Sequence, residues 1–411
     1  MTAAVLSIGT ELTRGELVNT NAAWISDQLT ALGCEVTEHV TVPDDPEAIR
    51  GALDVLSGRN AYLVSTGGLG PTSDDVTAVS VASAAGVELE RHLASLEAIR
   101  ERYAAAGREL TDANARQADI PRGADVLPNP VGTAPGFALD LGRCRSFFLP
   151  GVPSEMKRMF SDRVRPLVAS TIERKVHQIR LRTFGLPESV VAAKLEGLEA
   201  EHPGVCLGYR ATFPEIEVKV WARTDGTASA EERVAEVARE VRRRLGEIVY
   251  GEGDDTYAAY VGRELRARRM TLALAESCTG GLISSMITDV PGSSDYLLLD
   301  AVTYSNASKS KLLGVSGEVL RGYGAVSSEC AGAMADGARR LVDADLAVSV
   351  TGIAGPGGGT EDKPVGTVWI ALASREAPTV TEHYALFGDR HQIRTRAAYL
   401  ALRTVARAAS R

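Results

Sequence analysis

The chain of 411 residues predicts an α/β protein: two α/β layer domains joined by a small α+β module. Three observations predict it. Short apolar runs alternate with segments of helical spacing in the first 170 and the last 160 residues or so, the pattern of parallel sheets covered by helices. Between these stretches, apolar alternation of period two takes over. The length exceeds what one hydrophobic core usually serves, and the composition, 45% apolar and 24% charged, is that of an ordinary globular protein.

The elements follow in order. Ala4 to Ile8 is an apolar run ending in Gly9-Thr10-Glu11, and Asn21 to Leu32 then has helical spacing. Glu35 to Val40 reads as a second strand, Asp45 to Leu56 as a helix capped by Asp44 or Asp45, and Ala61 to Ser65 as a strand running into Gly67-Gly68-Leu69-Gly70. One more helix follows Leu149-Pro150-Gly151-Val152-Pro153, which closes a first domain, 1–171. The pattern changes near Lys175: Gln178 to Thr183 and Glu215 to Ala222 alternate as strands, and Ala228 to Leu245 reads as a helix, giving a connecting module, 172–252. The Gly-rich, acidic loop Gly251 to Asp255 marks a boundary, and 253–411 forms the last domain. There a helix to Arg268, strands at Thr271–Ala275, Ala301–Tyr304, Leu346–Thr351 and Val365–Ala373, and a closing helix Arg390–Ala409 are expected. No short repeat or low-complexity segment is present.

A formal net charge of −8 argues against a broad nucleic-acid surface, and the basic stripe Arg239, Arg242, Arg243 and Arg244 reads as a solvated helix face. The N-terminus has no basic region with an apolar stretch behind it, and no run is long enough to span a membrane. Five scattered cysteines without a Cys-x-x-Cys pair place the chain in the reducing cytoplasm.

The chemistry concentrates at strand ends. Leu272 to Ala275 runs into Glu276-Ser277-Cys278-Thr279-Gly280-Gly281 and then a helix, setting Ser277 at a strand-to-helix turn. Its glycines admit close backbone approach, and the helix behind offers free N–H groups to an anion. Taken alone, the motif favours the plainer reading, in which Ser277 or Thr279 caps the helix and the glycines make the turn. Thr303-Tyr304-Ser305-Asn306-Ala307-Ser308-Lys309 ends another strand, and Lys309 can reach the face that carries Ser277. A Ser–Lys pair hydrolyses amides if burial lowers the lysine pKa enough for the neutral amine to take the serine proton. Ser349 to Gly359 is a third such end, and three converging ends favour a site. Cys278 reads as a packed residue, since His391 is the one histidine in these segments and no base stands beside the thiol.

Ser-Cys-Thr-Gly-Gly, Tyr-Ser-Asn-x-x-Lys, Gly-Ala-Val-Ser, Gly-Ile-Ala-Gly-Pro, Lys-Pro-Val-Gly-Thr-Val and Gly-Asp-Arg, in this order over roughly 255–411, resemble the C-terminal domain of the CinA family. The resemblance implies deamidation of nicotinamide mononucleotide to nicotinate mononucleotide and ammonia, with no cofactor. By it, Ser277 is the nucleophile, Lys309 and Tyr304 activate it, and Thr279, Gly280, Ser294, Thr351, Gly352 and Arg390 contact substrate or hold the site together. Relatives commonly carry a small glycine pair where this chain has Leu299-Asp300-Ala301, so the backbone approach there differs.

In the N-terminal domain, Ser65 to Thr77 follows a strand and opens a helix, with glycines that can cradle a phosphate, although the Gly-Lys-Ser/Thr of a Walker loop is absent. Glu11, Asp44 and Asp75 can converge at the carboxyl edge of the sheet as oxygen ligands, or the two aspartates can be plain helix caps. These segments, with Leu127 to Gly136, resemble the molybdopterin-binding fold and the CinA N-terminal domain over roughly 1–170. That resemblance implies a metal-dependent ADP-ribose pyrophosphatase. Asn19, Gly67, Gly68 and Gly70 would then bind substrate, and Glu11, Asp44 and Asp75 would hold a divalent ion, magnesium, manganese or cobalt. Thr13-Arg14 departs from the family's apolar pair.

The expectation is a bifunctional hydrolase recycling pyridine nucleotides, a homodimer without membrane or direct nucleic-acid contact. Two alternatives stand beside it: a competence or DNA-damage accessory protein that acts by partner binding, and an N-terminal domain that binds molybdopterin.

Overall fold

A computed structural model of the chain describes residues 1–172, 176–224 and 229–410. The expected change of pattern at Lys175 and the expected helix start at Ala228 lie outside these residues; the helix is seen from Ala230. The chain folds into two compact units, 1–178 with 221–234 and 179–220 with 235–411.

The first unit is built on strands β1 (Thr2–Ile8), β2 (Glu35–Val42), β3 (Tyr62–Thr66), β4 (Leu89–Arg91), β5 (Asp119–Pro121), β6 (Asp125–Leu127), β7 (Gly136–Leu141) and β8 (Cys144–Leu149). The main sheet runs β2-β1-β3-β8-β7-β6. The first four in that order are parallel neighbours, whereas β7 and β6 extend the sheet antiparallel, a hairpin edge that alternating βα pattern does not announce. Both faces are covered, because successive side chains of a strand point to opposite sides. Ala3, Val5 and Val64 face α1 (Thr20–Leu32) with Ile25 and Leu29, while Ala4, Leu6 and Leu63 face α2 (Pro46–Arg59) and α3 (Thr77–Ala85) with Ile49, Leu53 and Val81. Each valine, leucine or isoleucine among them, removed from water, contributes roughly 1.5–3 kcal/mol. Asp45 caps α2 by accepting the Ala48 N–H at 2.8 Å; Asp44 does not.

A four-stranded sheet, most of it in the second unit, runs β10-β11-β9-β12, from β9 (Val176–Phe184), β10 (Val205–Thr212), β11 (Glu215–Arg223) and β12 (Val249–Glu252). On α4 (Ala230–Leu245), the basic stripe is ion-paired: Arg243 and Arg244 hold Glu240, Arg244 also holds Glu201, and Arg242 holds Glu252.

The rest of the second unit follows as α5 (Tyr257–Arg268), β13 (Leu272–Glu276), α6 (Leu282–Thr288), β14 (Leu297–Val302), α7 (Asn306–Leu313), α8 (Ser328–Val342), β15 (Leu346–Gly352), β16 (Thr367–Ser374), β17 (Val380–Ala385) and α9 (Arg390–Ala409). The sheet runs β14-β13-β15-β16-β17, parallel through the first three strands and antiparallel beyond. One face buries Leu272, Leu274, Val348 and Val350 against α5, α6 and α9; the other is alanine-rich. There Ala273, Ala275, Ala347 and Ala371 meet Ala331, Ala335 and Ala338 of α8, small residues that let helix and sheet approach closely. Among the described residues no helix is long and apolar enough to cross a membrane, and Cys34, Cys144, Cys278 and Cys330 are free, buried thiols.

Candidate active site

Parallel strands put their carboxyl ends on one edge, so the ends of β13, β14 and β15 deliver side chains to one place. Ser277 follows β13 directly, its backbone N–H donating to Val350 O of β15 at 3.0 Å. Lys309 comes from α7, whose start is fixed by a capping box between Ser305 and Ser308. Its Nζ lies 2.9 Å from Ser277 Oγ and donates to Thr303 O, beyond the end of β14, at 2.7 Å. Lys309 is only 1% exposed. With a hydroxyl and a carbonyl as its polar partners, burial pulls its pKa below the ordinary lysine value. Cys278 is buried too, which pushes its thiol up to about 11 and leaves it uncharged at neutral pH.

The turn after Ser277 is held by a residue that the sequence pattern does not single out. Glu276, wholly buried, accepts the N–H groups of Gly281 at 2.9 Å and Ser284 at 3.0 Å. The α6 N-terminus therefore already has its acceptor, a correction to the expectation of free N–H groups there; neither Ser277 nor Thr279 acts as its cap, since the N-cap is Gly281. Gly280 and Gly281 adopt φ of 61° and 88°, the left-handed region that glycine enters without strain. Arg394 of α9, likewise outside the expected set, donates to Thr279 O at 2.6 Å. Arg394 carries a signal in the sequence, an arginine one helical turn after Arg390. Thr279 and Thr303 each bury a hydroxyl oxygen without a hydrogen-bond partner beside the Ser–Lys pair.

The other expected residues divide. Arg390 donates to Gly355 O at 2.6 Å and to the Tyr304 hydroxyl at 3.1 Å, so Tyr304, 64% exposed, is brought to Arg390 at the rim and not to the buried pair. Thr351 is buried and donates to Ala325 O at 2.7 Å, which ties β15 to the Gly-Ala-Val-Ser segment. At Gly352 a Cβ would stand 2.7 Å from Val368, so the strand end admits no side chain. Ser294 is a correction. It lies in a 3-10 turn just before β14, at the sheet's amino edge, and the parallel strands separate it by their full length from the edge that carries Ser277.

In the first unit, a cleft of 630 Å³ is lined by Glu11, Asn19, Asp44, Gly67, Gly68, Gly70 and Asp75, together with Glu155. Gly67 and Gly68 take φ of 111° and 63°, and a Cβ on Gly67 would meet Ile8 O at 2.0 Å, so only glycine lets this turn lie on β1. Asn19 caps α1 by accepting the Ala22 N–H. The acidic trio is corrected. Asp44 accepts the Thr10 N–H at 2.8 Å, tying its loop to the turn after β1, and Asp75 accepts the Thr72 N–H at 2.8 Å, closing its own loop. Among the described residues no three His, Cys, Asp or Glu side chains are grouped to hold a metal ion, so Glu11, Asp44 and Asp75 share the cleft without forming a cation cage. Glu155, a lining residue that no motif marks, packs over Gly132 and accepts from Asn129 at 2.7 Å.

Three family models match the chain: the probable molybdopterin binding domain over residues 4–170, the damage-inducible protein CinA KH domain over 178–251 and the CinA C-terminal domain over 254–409. A CinA-like protein of Geobacter sulfurreducens is 47% identical over 411 residues, covering 98% of each chain. Another, of Geobacter metallireducens, is 46% identical over 408 residues with the same coverage. Among solved structures, the competence/damage inducible protein CihA from Agrobacterium tumefaciens is 38% identical, covering 38% of this chain and 94% of that one with a TM-score of 0.36.

Proposed function

The chain belongs to the CinA family, and from that premise we propose that its C-terminal domain hydrolyses the amide of nicotinamide mononucleotide, giving nicotinate mononucleotide and ammonia. One observation carries this: a buried lysine amine 2.9 Å from a serine hydroxyl at the carboxyl edge of a parallel sheet. The neutral amine of Lys309 accepts the Ser277 proton while Oγ forms a bond to the amide carbon. The resulting ammonium returns that proton to the departing nitrogen as the C–N bond breaks, releasing ammonia. Water then repeats the sequence on the ester: Lys309 takes a water proton, the hydroxyl oxygen bonds to carbon, and the ester C–O bond breaks to restore Ser277. The raised thiol pKa of Cys278 removes it as a competing nucleophile. Tyr304 and Arg390 at the rim meet the nucleotide's ring and phosphate. Purified protein incubated with nicotinamide mononucleotide releases ammonia without added metal, and Ser277→Ala lowers the rate by ~10³-fold or more. A Ser277→Ala protein that still restores transformation in a deletion strain would favour the partner-binding alternative instead.

A second reading rests on the N-terminal cleft, whose size suits a nucleotide and whose Gly67-Gly68 turn leaves backbone open to a diphosphate. It takes ADP-ribose, hydrolysed at the diphosphate. A divalent cation there would enter with the diphosphate as part of the substrate, since among the described residues the cleft carboxylates are not grouped as a cage. Turnover of ADP-ribose, measured against retention of a pterin, separates this reading from a molybdopterin-binding role.

A further inference from the structure

Beside Ser277 two carboxyl groups meet. Glu276 ends β13, and Asp300 lies on β14 opposite Leu274, so the two are diagonal neighbours across the strand pair, within reach of each other. Both Glu276 oxygens already act as acceptors, Oε2 from the Gly281 N–H and Oε1 from the Ser284 N–H, so a proton shared between the two carboxyls is one that Asp300 carries. Asp300 Oδ2 contacts the Ser284 hydroxyl at 2.6 Å, and the same hydroxyl lies 3.1 Å from Gly281 O. Asp300 Oδ1 is buried with no partner at all. An unpartnered carboxylate oxygen next to a second carboxylate is unfavourable on both counts, through lost solvation and through like charge.

Among the described residues no cation is paired with either carboxyl. Helix α6, Leu282–Thr288, carries no charged residue, and Arg394 of α9 is engaged with Thr279 O. Lys309 of α7 is engaged with Ser277 and Thr303 O, and α8 packs on the opposite face, where Ala301 points. One proton answers both difficulties. We propose that Asp300 is a positioning residue: as the neutral acid it shares its proton with Glu276, and the pair, through Gly281 and Ser284, braces the turn that presents Ser277. The pairing stands on its own geometry; its catalytic consequence rests on the hydrolase reading above.

Burial and the Glu276 charge together push Asp300 up to about 6. A carboxyl whose folded pKa is raised contributes stability below its unfolded pKa and loses it as pH rises through the folded value. The brace is thus complete on the acid side of about 6 and loosens above it.

The test is Asp300→Asn in the full chain, which keeps a neutral hydrogen-bond donor beside Glu276 at every pH. Infrared difference spectra of wild type minus Asp300→Asn, taken across pH, read the carboxyl directly while ammonia release from nicotinamide mononucleotide is followed in parallel. We expect a protonated-carboxyl band that disappears with a midpoint near 6, and a ratio of wild-type to variant rate that falls several-fold over the same range. A residue with a merely structural role would give a flat ratio. Should Asp300→Asn not fold, Glu276→Gln serves, moving the band's midpoint down toward the ordinary carboxylate range. A band absent throughout, or a flat ratio, overturns the proposal. No ammonia from either protein, with the band titrating as described, overturns the hydrolase reading and supports the proton-sharing pair.

Discussion

Lys309 shows what one residue's surroundings decide. On an exposed helix a lysine amine stays charged and cannot take a proton; here it is sealed under Thr303 O and Ser277 Oγ with its pKa lowered. Lys309→Met therefore lowers ammonia release by about 10²–10⁴-fold, the usual worth of a general base, while filling the same space with an apolar chain. The variant also changes how stability depends on pH. Between the folded and unfolded pKa of Lys309 the unfolded chain binds more protons, so wild-type stability falls as pH drops through that window. The Met variant lacks this slope, and urea titrations at several pH values read the difference. Ser277 and Lys309 are legible in the sequence because each sits in a motif at a strand end. Glu276 is not, since nothing local says that an acid before the serine folds back onto two N–H groups. Motif adjacency alone puts Tyr304 with the pair, and one residue of backbone turn carries it to Arg390 instead.

At the scale of elements, turns do the positioning. Gly67 is the sharpest case, because a methyl group there would collide with backbone at 2.0 Å, and no side-chain rotation can relieve that. Gly67→Ala displaces the β3 turn, and loss of ADP-ribose turnover with ammonia release unchanged is the expected result, measured on the same preparation. Strands and helices of the alternating βα stretches are legible because apolar periodicity switches between 2 and 3.6. Strands β7, β10 and β17 escape a reading by pattern. Strand β17 is mostly exposed and β10 largely half-exposed, so neither carries the apolar run that marks a buried strand. The expectation for Ser294 fails at this scale too: strand direction, not sequence distance, sets which edge a residue occupies.

For the whole molecule, the α/β class follows from the alternation at both ends of the chain, and length alone calls for more than one core. Pattern does not reveal how the middle of the chain is shared, since two units emerge and the second takes most of the middle sheet. Each unit carries its own cleft or pair at the carboxyl edge of its own sheet, so the two proposed chemistries fall to two cores, and the proposal for the Ser277–Lys309 pair is the central one. The most direct measurement is rapid quenching of the full chain with excess nicotinamide mononucleotide, with ammonia counted and the Ser277 peptide weighed in the first turnover. Ammonia release ahead of nicotinate mononucleotide and a peptide heavier by the nicotinate mononucleotide ester are predicted, both absent in Ser277→Ala. Ammonia released by Ser277→Ala at the wild-type rate, with no modified peptide, would contradict the serine–lysine mechanism.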